Sequence, residues 1–426
     1  MASRRGRHPG PVLRPLPGLA MVRRAMPSPI APDARPVLRL LPGHHRRVRT
    51  GYPWAFSNEI AMTPAARALP PGSVVRLEGD DGVAQGAWHF NPHSLIAARR
   101  LDADPDAAID AGWCAARLAA ALRLRERLFP GSAHYRLVHA EADGLPGLVI
   151  DRYGDALALQ ANTAGMEALT PALVEALAGL LAPRVVVARN DAGVRTLEGL
   201  PDEKRLLLGT DPVAEVEEGP LRIPVDLLAG QKTGWFFDQR ENRARVAQLA
   251  PGARVLDAYC HLGGFGLRCA ANGAESVTLL DRSEPALALA LEAAARNGLA
   301  PRVRAERGEA FAVLERLGAA GERFDVVVCD PPAFVKSRKD HAAGLRGYGK
   351  MVRLAAPLVA PGGFLFVASC SHHVSPGEFA EQVLWGLGRA GRDSRVLFQG
   401  GAAPDHPLHP LLPESAYLKA VLLHLP

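Results

Sequence analysis

From residue 254 onward the chain alternates short apolar runs with amphipathic stretches, and this alternation constrains the fold more than any other feature. Strands are predicted over 254–260, 276–281, 303–307, 324–330 and 363–370, and helices over 264–271, 285–297, 310–317, 345–358 and 377–389. Ser283 precedes the second helix as an N-cap and Gly298 follows it as a terminator. Such alternation specifies a parallel sheet with right-handed crossovers. Two last strands, 394–399 and 417–425, follow without a helix between them and are expected to form an antiparallel hairpin closing one sheet edge. The expected architecture is a doubly wound α/β sheet, in which ligands bind beyond the carboxyl ends of the strands.

Three of those ends carry reactive side chains. The fifth run, Gly363-Phe364-Leu365-Phe366-Val367-Ala368-Ser369, leads into Cys370-Ser371-His372-His373. A thiol at that end is a candidate nucleophile; taken alone it also reads as a buried free cysteine. The first run, Val255-Leu256-Asp257-Ala258-Tyr259-Cys260, enters the turn His261-Leu262-Gly263-Gly264-Phe265-Gly266. Glycines there let the backbone approach a ligand at a helix N-terminus. The spacing is not that of a dinucleotide fingerprint, and with Asp257 it suits a nucleoside carrying a cationic ammonium, or else a structural tight turn. Asp281, ending the second strand, is placed to accept from ribose hydroxyls. The fourth run ends in Asp330-Pro331-Pro332-Ala333-Phe334. The prolines give a rigid, extended exit, the carboxylate suits the amino edge of a flipped base, and Phe334 can stack on it. Lys336, Arg338, Lys339, Arg346, Lys350 and Arg353 follow, a set suited to phosphates or to a solvated charged face. Cys329, inside the strand, reads as core.

The preceding 250 residues divide by composition. Residues 1–50 hold eleven arginines against one acid, Asp33, so the rest of the chain is net acidic although the whole carries +6. Global charge is therefore weak support for a nucleic-acid partner, and local basic patches must carry it. The segment 1–36, rich in Arg and Pro, is expected to be disordered, with Met21 and Met26 as alternative starts. Residues 37–109 read as a small β-rich module with arginines interleaved among aromatics, a pattern for phosphate contact and base stacking or for a solvated barrel face. Residues 110–220 read as an α+β linker domain, and 221–426 as the doubly wound domain. No apolar run approaches the roughly 20 residues of a membrane span, no secretory signal is visible, and five cysteines without paired spacing suit a reducing, cytoplasmic setting. No zinc-type Cys/His cluster is present in the sequence, so no metal is expected.

The stretch 231–240, the turn 257–266, Asp281, Asp330-Pro331-Pro332 and Ser369-Cys370-Ser371 together resemble the bacterial 23S ribosomal RNA (cytosine-5) methyltransferases that carry an N-terminal PUA domain. Tyr52-Pro53-Trp54-Ala55-Phe56-Ser57 is similar to that family's PUA opening, and Asp405-His406-Pro407 and Tyr417-Leu418-Lys419 to its C-terminal segment. The resemblance covers about residues 37–426. It implies a class I fold dependent on S-adenosyl-L-methionine (SAM), a PUA RNA-binding domain, a linker domain and ribosomal RNA as partner. It further implies that Lys232, Thr233, Gly234, Asp238, Gln239, Arg240, Asp257, Gly263, Gly264 and Phe265 hold the methionine end of SAM and Asp281 the ribose. Asp330 would orient a cytosine beside Pro331, Pro332, Phe334, Lys336, Arg338 and Lys339, and Cys370 would add to its ring. Two departures stand out. Glu309 occupies the adenine-side position where a shorter acid is usual, and Ala333-Phe334 stands where many relatives have a second cysteine, so the base that removes the carbon-5 proton is unassigned. SAM-dependent methylation of a guanine or adenine nitrogen, or a non-catalytic RNA-binding assembly factor, are the alternatives.

Overall fold

The computed structural model describes residues 35–230 and 233–426; the first 34 residues, and Lys232 among the expected ligand residues, lie outside them. The predicted alternation is present as a seven-stranded sheet. Its strands are β1 (Arg254–Ala258), β2 (Ser276–Asp281), β3 (Val303–Arg307), β4 (Phe324–Cys329), β5 (Val359–Ser369), β6 (Arg395–Gly400) and β7 (Lys419–Leu425), in the order β3-β2-β1-β4-β5-β7-β6. The first five are parallel, while β7 runs antiparallel between β5 and β6. The helices are α1 (Gly264–Ala271), α2 (Glu284–Arg296), α3 (Ala310–Ala319), α4 (His341–Ala355) and α5 (Pro376–Arg389). Ser283 caps α2 through the Ala286 N–H, and Gly298 follows with φ +70°.

Alternate side chains of the central strands fill two cores. Val255, Val277, Leu279, Val326, Val328 and Phe366 pack on the α1 and α2 side. Leu256, Leu280, Val327, Leu365 and Val367 pack with Tyr348, Met351 and Val352 of α4 and Phe379 and Val383 of α5. Each fully buried side chain of this size contributes about 1.5–3 kcal/mol. Both faces of the central strands are thus covered, which leaves their ends as the place for chemistry, while the edge strands β3 and β6 are mostly exposed.

Two further sheets precede this one. A five-stranded sheet within 37–102 closes around Val75, Leu77, Trp88 and Phe90. A second, of strands His134–His139, Leu148–Tyr153, Ala156–Ala161, Val185–Asn190 and Glu203–Leu208, packs on helices Ala111–Leu128 and Ala164–Leu181. The latter helix is long and apolar enough to cross a bilayer by length and composition, but Met166, Leu173 and Leu177 sit in this sheet's core. A hairpin, Val213–Glu218 with Leu221–Asp226, then leads to the third unit. The domain break expected at 220/221 falls in its turn, so residues on the two sides are hydrogen-bonded to one another.

The units are tied by buried polar contacts. Trp54 Nε1 and Arg99 both donate to Glu141 at 2.7 and 2.9 Å. Arg125 donates to the Asp405 carbonyl at 2.8 Å, and the Arg136 N–H to Asp405 Oδ2 at 2.9 Å. The segment 405–407 is thus a clasp that seats the second sheet against the third.

Candidate active site

The turn after β1 is held in an unusual backbone shape. Tyr259 and His261 have φ of +64° and +51°, and Gly263 has +77°. A non-glycine residue in this region costs roughly 1–2 kcal/mol, so the turn needs external support. The His261 N–H donates to Asp281 Oδ2 at 2.9 Å, and the Gly266 N–H to Asp257 Oδ2 at 2.8 Å. The other oxygen of Asp281 accepts from the Ser283 N–H at 2.8 Å. Asp281 therefore braces the turn as well as ending β2. A Cβ at Gly266 would meet Leu279 at 2.4 Å, so only glycine lets α1 lie this close to the sheet.

Asp257 is buried, and its Oδ1 has no hydrogen-bond partner among the described residues. Burial, with the nearby Asp330 and Asp281 carboxylates adding to it and the Gly266 N–H opposing it, pushes its pKa up to about 7. Asp238 shows the same feature. Its Oδ2 accepts from Tyr417 Oη at 2.5 Å, while Oδ1 is buried without a partner among the described residues. Two under-satisfied buried carboxylates beside a glycine turn fit a ligand that brings donors and positive charge. SAM does both, through its ammonium and sulfonium.

Under this turn lies a cluster that the sequence reading left out. Glu218, 25 positions before Arg243, accepts two bonds of 2.6 Å from its guanidinium and one of 2.9 Å from Trp235 Nε1. Arg243 also lies 4.6 Å over the Trp235 ring. A Cβ at Gly264 would stand 3.1 Å from Arg243 and 3.2 Å from Trp235, so the cluster is the floor beneath the helix N-terminus. Burial raises the Glu218 pKa, but the Arg243 charge and bonds outweigh it and hold the carboxyl below its usual range. Arg243→Met would leave this carboxylate buried without its cation, and we expect a loss of about 3–5 kcal/mol, read as a large fall in Tm.

The carboxyl ends of β4 and β5 meet beside this turn. Gln239 Nε2 donates to Asp330 Oδ2 at 3.0 Å, and its own Oε1 accepts from Asn242 Nδ2 at 2.6 Å. Cys370 Sγ, partly exposed, lies 4.0 Å from the Pro331 carbonyl oxygen. Ser371 Oγ accepts from the Val335 N–H at 3.1 Å and pairs with Tyr348 Oη at 2.8 Å, locking the strand exit against the Pro-Pro loop. The other four cysteines are buried. Burial pushes Cys114 up to about 12 and raises Cys260, Cys269 and Cys329 as well, so all four are poor nucleophiles near neutral pH.

Other expected site residues are distributed differently. Arg240 turns to the second sheet, lying 4.5 Å over Phe129 and donating to the His134 carbonyl. Its Nε is buried without a hydrogen-bond partner among the described residues, and its charge also reaches Glu218 and Arg243 under the turn. The Phe265 ring packs on Phe366 in the core at 5.0 Å, so only its backbone faces the helix N-terminus. Glu309 stands three-quarters exposed near Arg282, at the outer rim. Thr233 and Gly234 are held from behind, Tyr153 Oη donating to the Thr233 carbonyl at 2.9 Å. Phe334 sits among Tyr259, Phe311 and Tyr348, while Pro332, Lys336, Arg338 and Lys339 are exposed along the same loop.

A sheet of this order, a glycine turn after β1, an acid ending β2 and unsatisfied carboxylates beneath define a SAM-dependent methyltransferase. Residues 158–422 match the family described as S-adenosylmethionine-dependent methyltransferase, and residues 38–103 a PUA-like domain. The chain is similar to "Ribosomal RNA large subunit methyltransferase I" of Aeromonas hydrophila, 36% identical over 392 residues that cover 90% of this chain and 98% of the relative. The protein of the same name from Photobacterium profundum is 37% identical over 388 residues, 89% and 97% of the two chains. The fold is shared with a structure described as a SAM-dependent methyltransferase from Streptococcus mutans, at TM-score 0.76, 18% identity, and 91% and 100% coverage. It is shared too with a methyltransferase structure complexed with SAH, at TM-score 0.77, 18% identity and the same coverage. The chain belongs to the ribosomal RNA large subunit methyltransferase I family, and SAM is its methyl donor.

Proposed function

We propose that the protein methylates carbon-5 of a cytosine in large-subunit ribosomal RNA, with Cys370 as nucleophile. The observation that carries this reading is the position of Cys370: the one cysteine with an accessible thiol, at the carboxyl end of β5, beside the Asp330-Pro331 exit of β4. Carbon-5 of cytosine is a weak nucleophile. Addition of the thiolate to carbon-6 turns it into an enamine carbon, for which SAM supplies an electrophilic methyl. Asp330, oriented by Gln239, accepts from the amino edge and delivers a proton to ring nitrogen 3, where negative charge develops on addition. Loss of the carbon-5 proton then returns its electron pair to the ring and expels the thiolate. Phe334 and the exposed Lys336, Arg338 and Lys339 form the RNA-facing side, with the PUA-like domain as a second contact.

On the donor side, Asp257, Asp238 and the Gly263-Gly264 backbone would hold the methionine end and Asp281 the ribose. Ionised Asp257 favours a cationic ligand, and protonated Asp257 does not. SAM affinity is therefore expected to strengthen several-fold from pH 6 to about pH 7.5, as the carboxyl loses its proton through about 7, and to weaken again above about pH 8 as the ligand's α-ammonium loses its own. Titration calorimetry checks this, and Asp257→Asn should flatten the rise.

The function is tested with labelled SAM and large-subunit rRNA from cells lacking the enzyme, followed by mass mapping of the modified nucleoside. 5-Methylcytosine supports the reading. A methylated guanine or adenine nitrogen would leave Cys370 without a role, and binding without transfer would leave an assembly factor.

A further inference from the structure

Lys419 is the first residue of β7, where the register sets it directly opposite Ser369, the last residue of β5. Its side chain is buried, yet no carboxylate lies within ion-pair distance among the described residues. Nζ instead donates to two backbone carbonyls, of Ser371 at 2.5 Å and of Tyr417 at 2.8 Å. Ser371 directly follows Cys370, so the ammonium is pinned against the backbone that carries the thiol. Burying an ammonium on carbonyls alone costs several kcal/mol, and lysines are seldom buried without an anion.

We infer that Lys419 is a positioning residue that holds Cys370 as the thiolate, its buried ammonium serving as counter-charge before addition to the base and again when the thiol is expelled. The inference rests on the reading of Cys370 as nucleophile. Two of the three N–H groups are committed to carbonyls, one of them on the residue after Cys370, which leaves the third for another partner. Burial lowers the ammonium's pKa to about 8; the Cys370 thiolate and, more weakly, Glu378 of α5 act in the opposite direction. Interaction between two titrating groups is mutual, so an ammonium stabilised by the thiolate stabilises the thiolate equally. Tyr348 of α4 and Tyr417 also feel the thiol's charge, and both have pKa values raised chiefly by burial and hence are neutral at working pH, while His372 and His373 follow the cysteine on the same strand exit. Tyr417 stacks on His372 at 5.3 Å.

The test uses the accessibility contrast among the cysteines. Iodoacetamide should label Cys370 in the folded protein, and peptide mass spectrometry reads its rate against pH. Lys419→Met is expected to slow labelling at pH 7 about tenfold and to move the profile to higher pH, while Lys419→Arg, which keeps the charge, restores most of the rate. Lys419→Gln, which keeps an N–H donor without the charge, should behave as Met does, and it replaces K419M should that variant fail to fold. A rate unchanged in K419M or K419Q overturns the inference. Methyl transfer by Cys370→Ala separates the two levels. If C370A is inactive and K419M labels normally, the nucleophile stands and the role of Lys419 falls; if C370A is active, the thiol mechanism falls whatever the labelling shows.

Discussion

Cys370→Ala is expected to lose methyl transfer by about 10⁴-fold or more, while binding SAM and unfolding at nearly the wild-type temperature. The size follows from the mechanism. Without addition at carbon-6, carbon-5 has no electron pair to offer, and no neighbouring group can substitute, because the remaining cysteines are buried with raised thiol pKa values. The small structural cost follows from position. The thiol is only partly buried, and it approaches the Pro331 carbonyl no closer than 4.0 Å. Removing it should change stability by less than about 1 kcal/mol. Single-turnover transfer, calorimetric SAM binding and thermal melting separate these outcomes. Loss of binding together with transfer would mean that the residue is structural.

The second large effect is expected at Asp330. Gln239 cannot reverse its amide without losing Asn242, whose Nδ2 donates to Gln239 Oε1 at 2.6 Å, so its Nε2 must face Asp330. In Asp330→Asn the new carboxamide must turn its oxygen to Gln239, which directs its NH₂ toward the base. A cytosine amino group would then meet a donor where wild type presents an acceptor. Transfer is expected to fall by about 10²–10³-fold in kcat/KM, with melting little changed because the Gln239 bond is retained. Asp330→Ala, which removes the acceptor without presenting a donor, should be the less impaired of the two with RNA. The opposite ranking would place Asp330 in the scaffold alone.

How far the molecule was legible in its sequence follows from which interactions are local. Four of the five parallel strands were readable because each carries an apolar run buried in the sheet, and Cys370 because it interrupts such a run at its ligand end; the edge strand Val303–Arg307, charged and mostly exposed, was readable only from its place in the alternation. Val213–Glu218 and Glu203–Leu208 were not, since Val-Ala-Glu-Val-Glu-Glu and Glu-Lys-Arg-Leu-Leu-Leu carry charge that only pairing with a neighbour explains. The Glu218–Arg243–Trp235 floor joins a hairpin to a helix, and no local pattern announces a partner 25 residues away. Arg240 and Phe265 lie in the stretches that build the site, but their side chains leave it, a matter of rotamer and packing rather than of motif. Lys419 shows the same limit from the other side. Its place opposite Ser369 depends on the register of an antiparallel strand inserted from the end of the chain, which sequence periodicity does not supply.

The thiol mechanism is tested most directly by trapping. With large-subunit rRNA carrying 5-fluorocytosine and with SAM present, methylation leaves no proton on carbon-5 to remove, so the enzyme should remain covalently joined to RNA. The account predicts a denaturant-resistant complex whose RNA-linked peptide contains Cys370, absent with Cys370→Ala. Methyl transfer to unsubstituted RNA without any such complex, or a complex that persists in C370A, would contradict it.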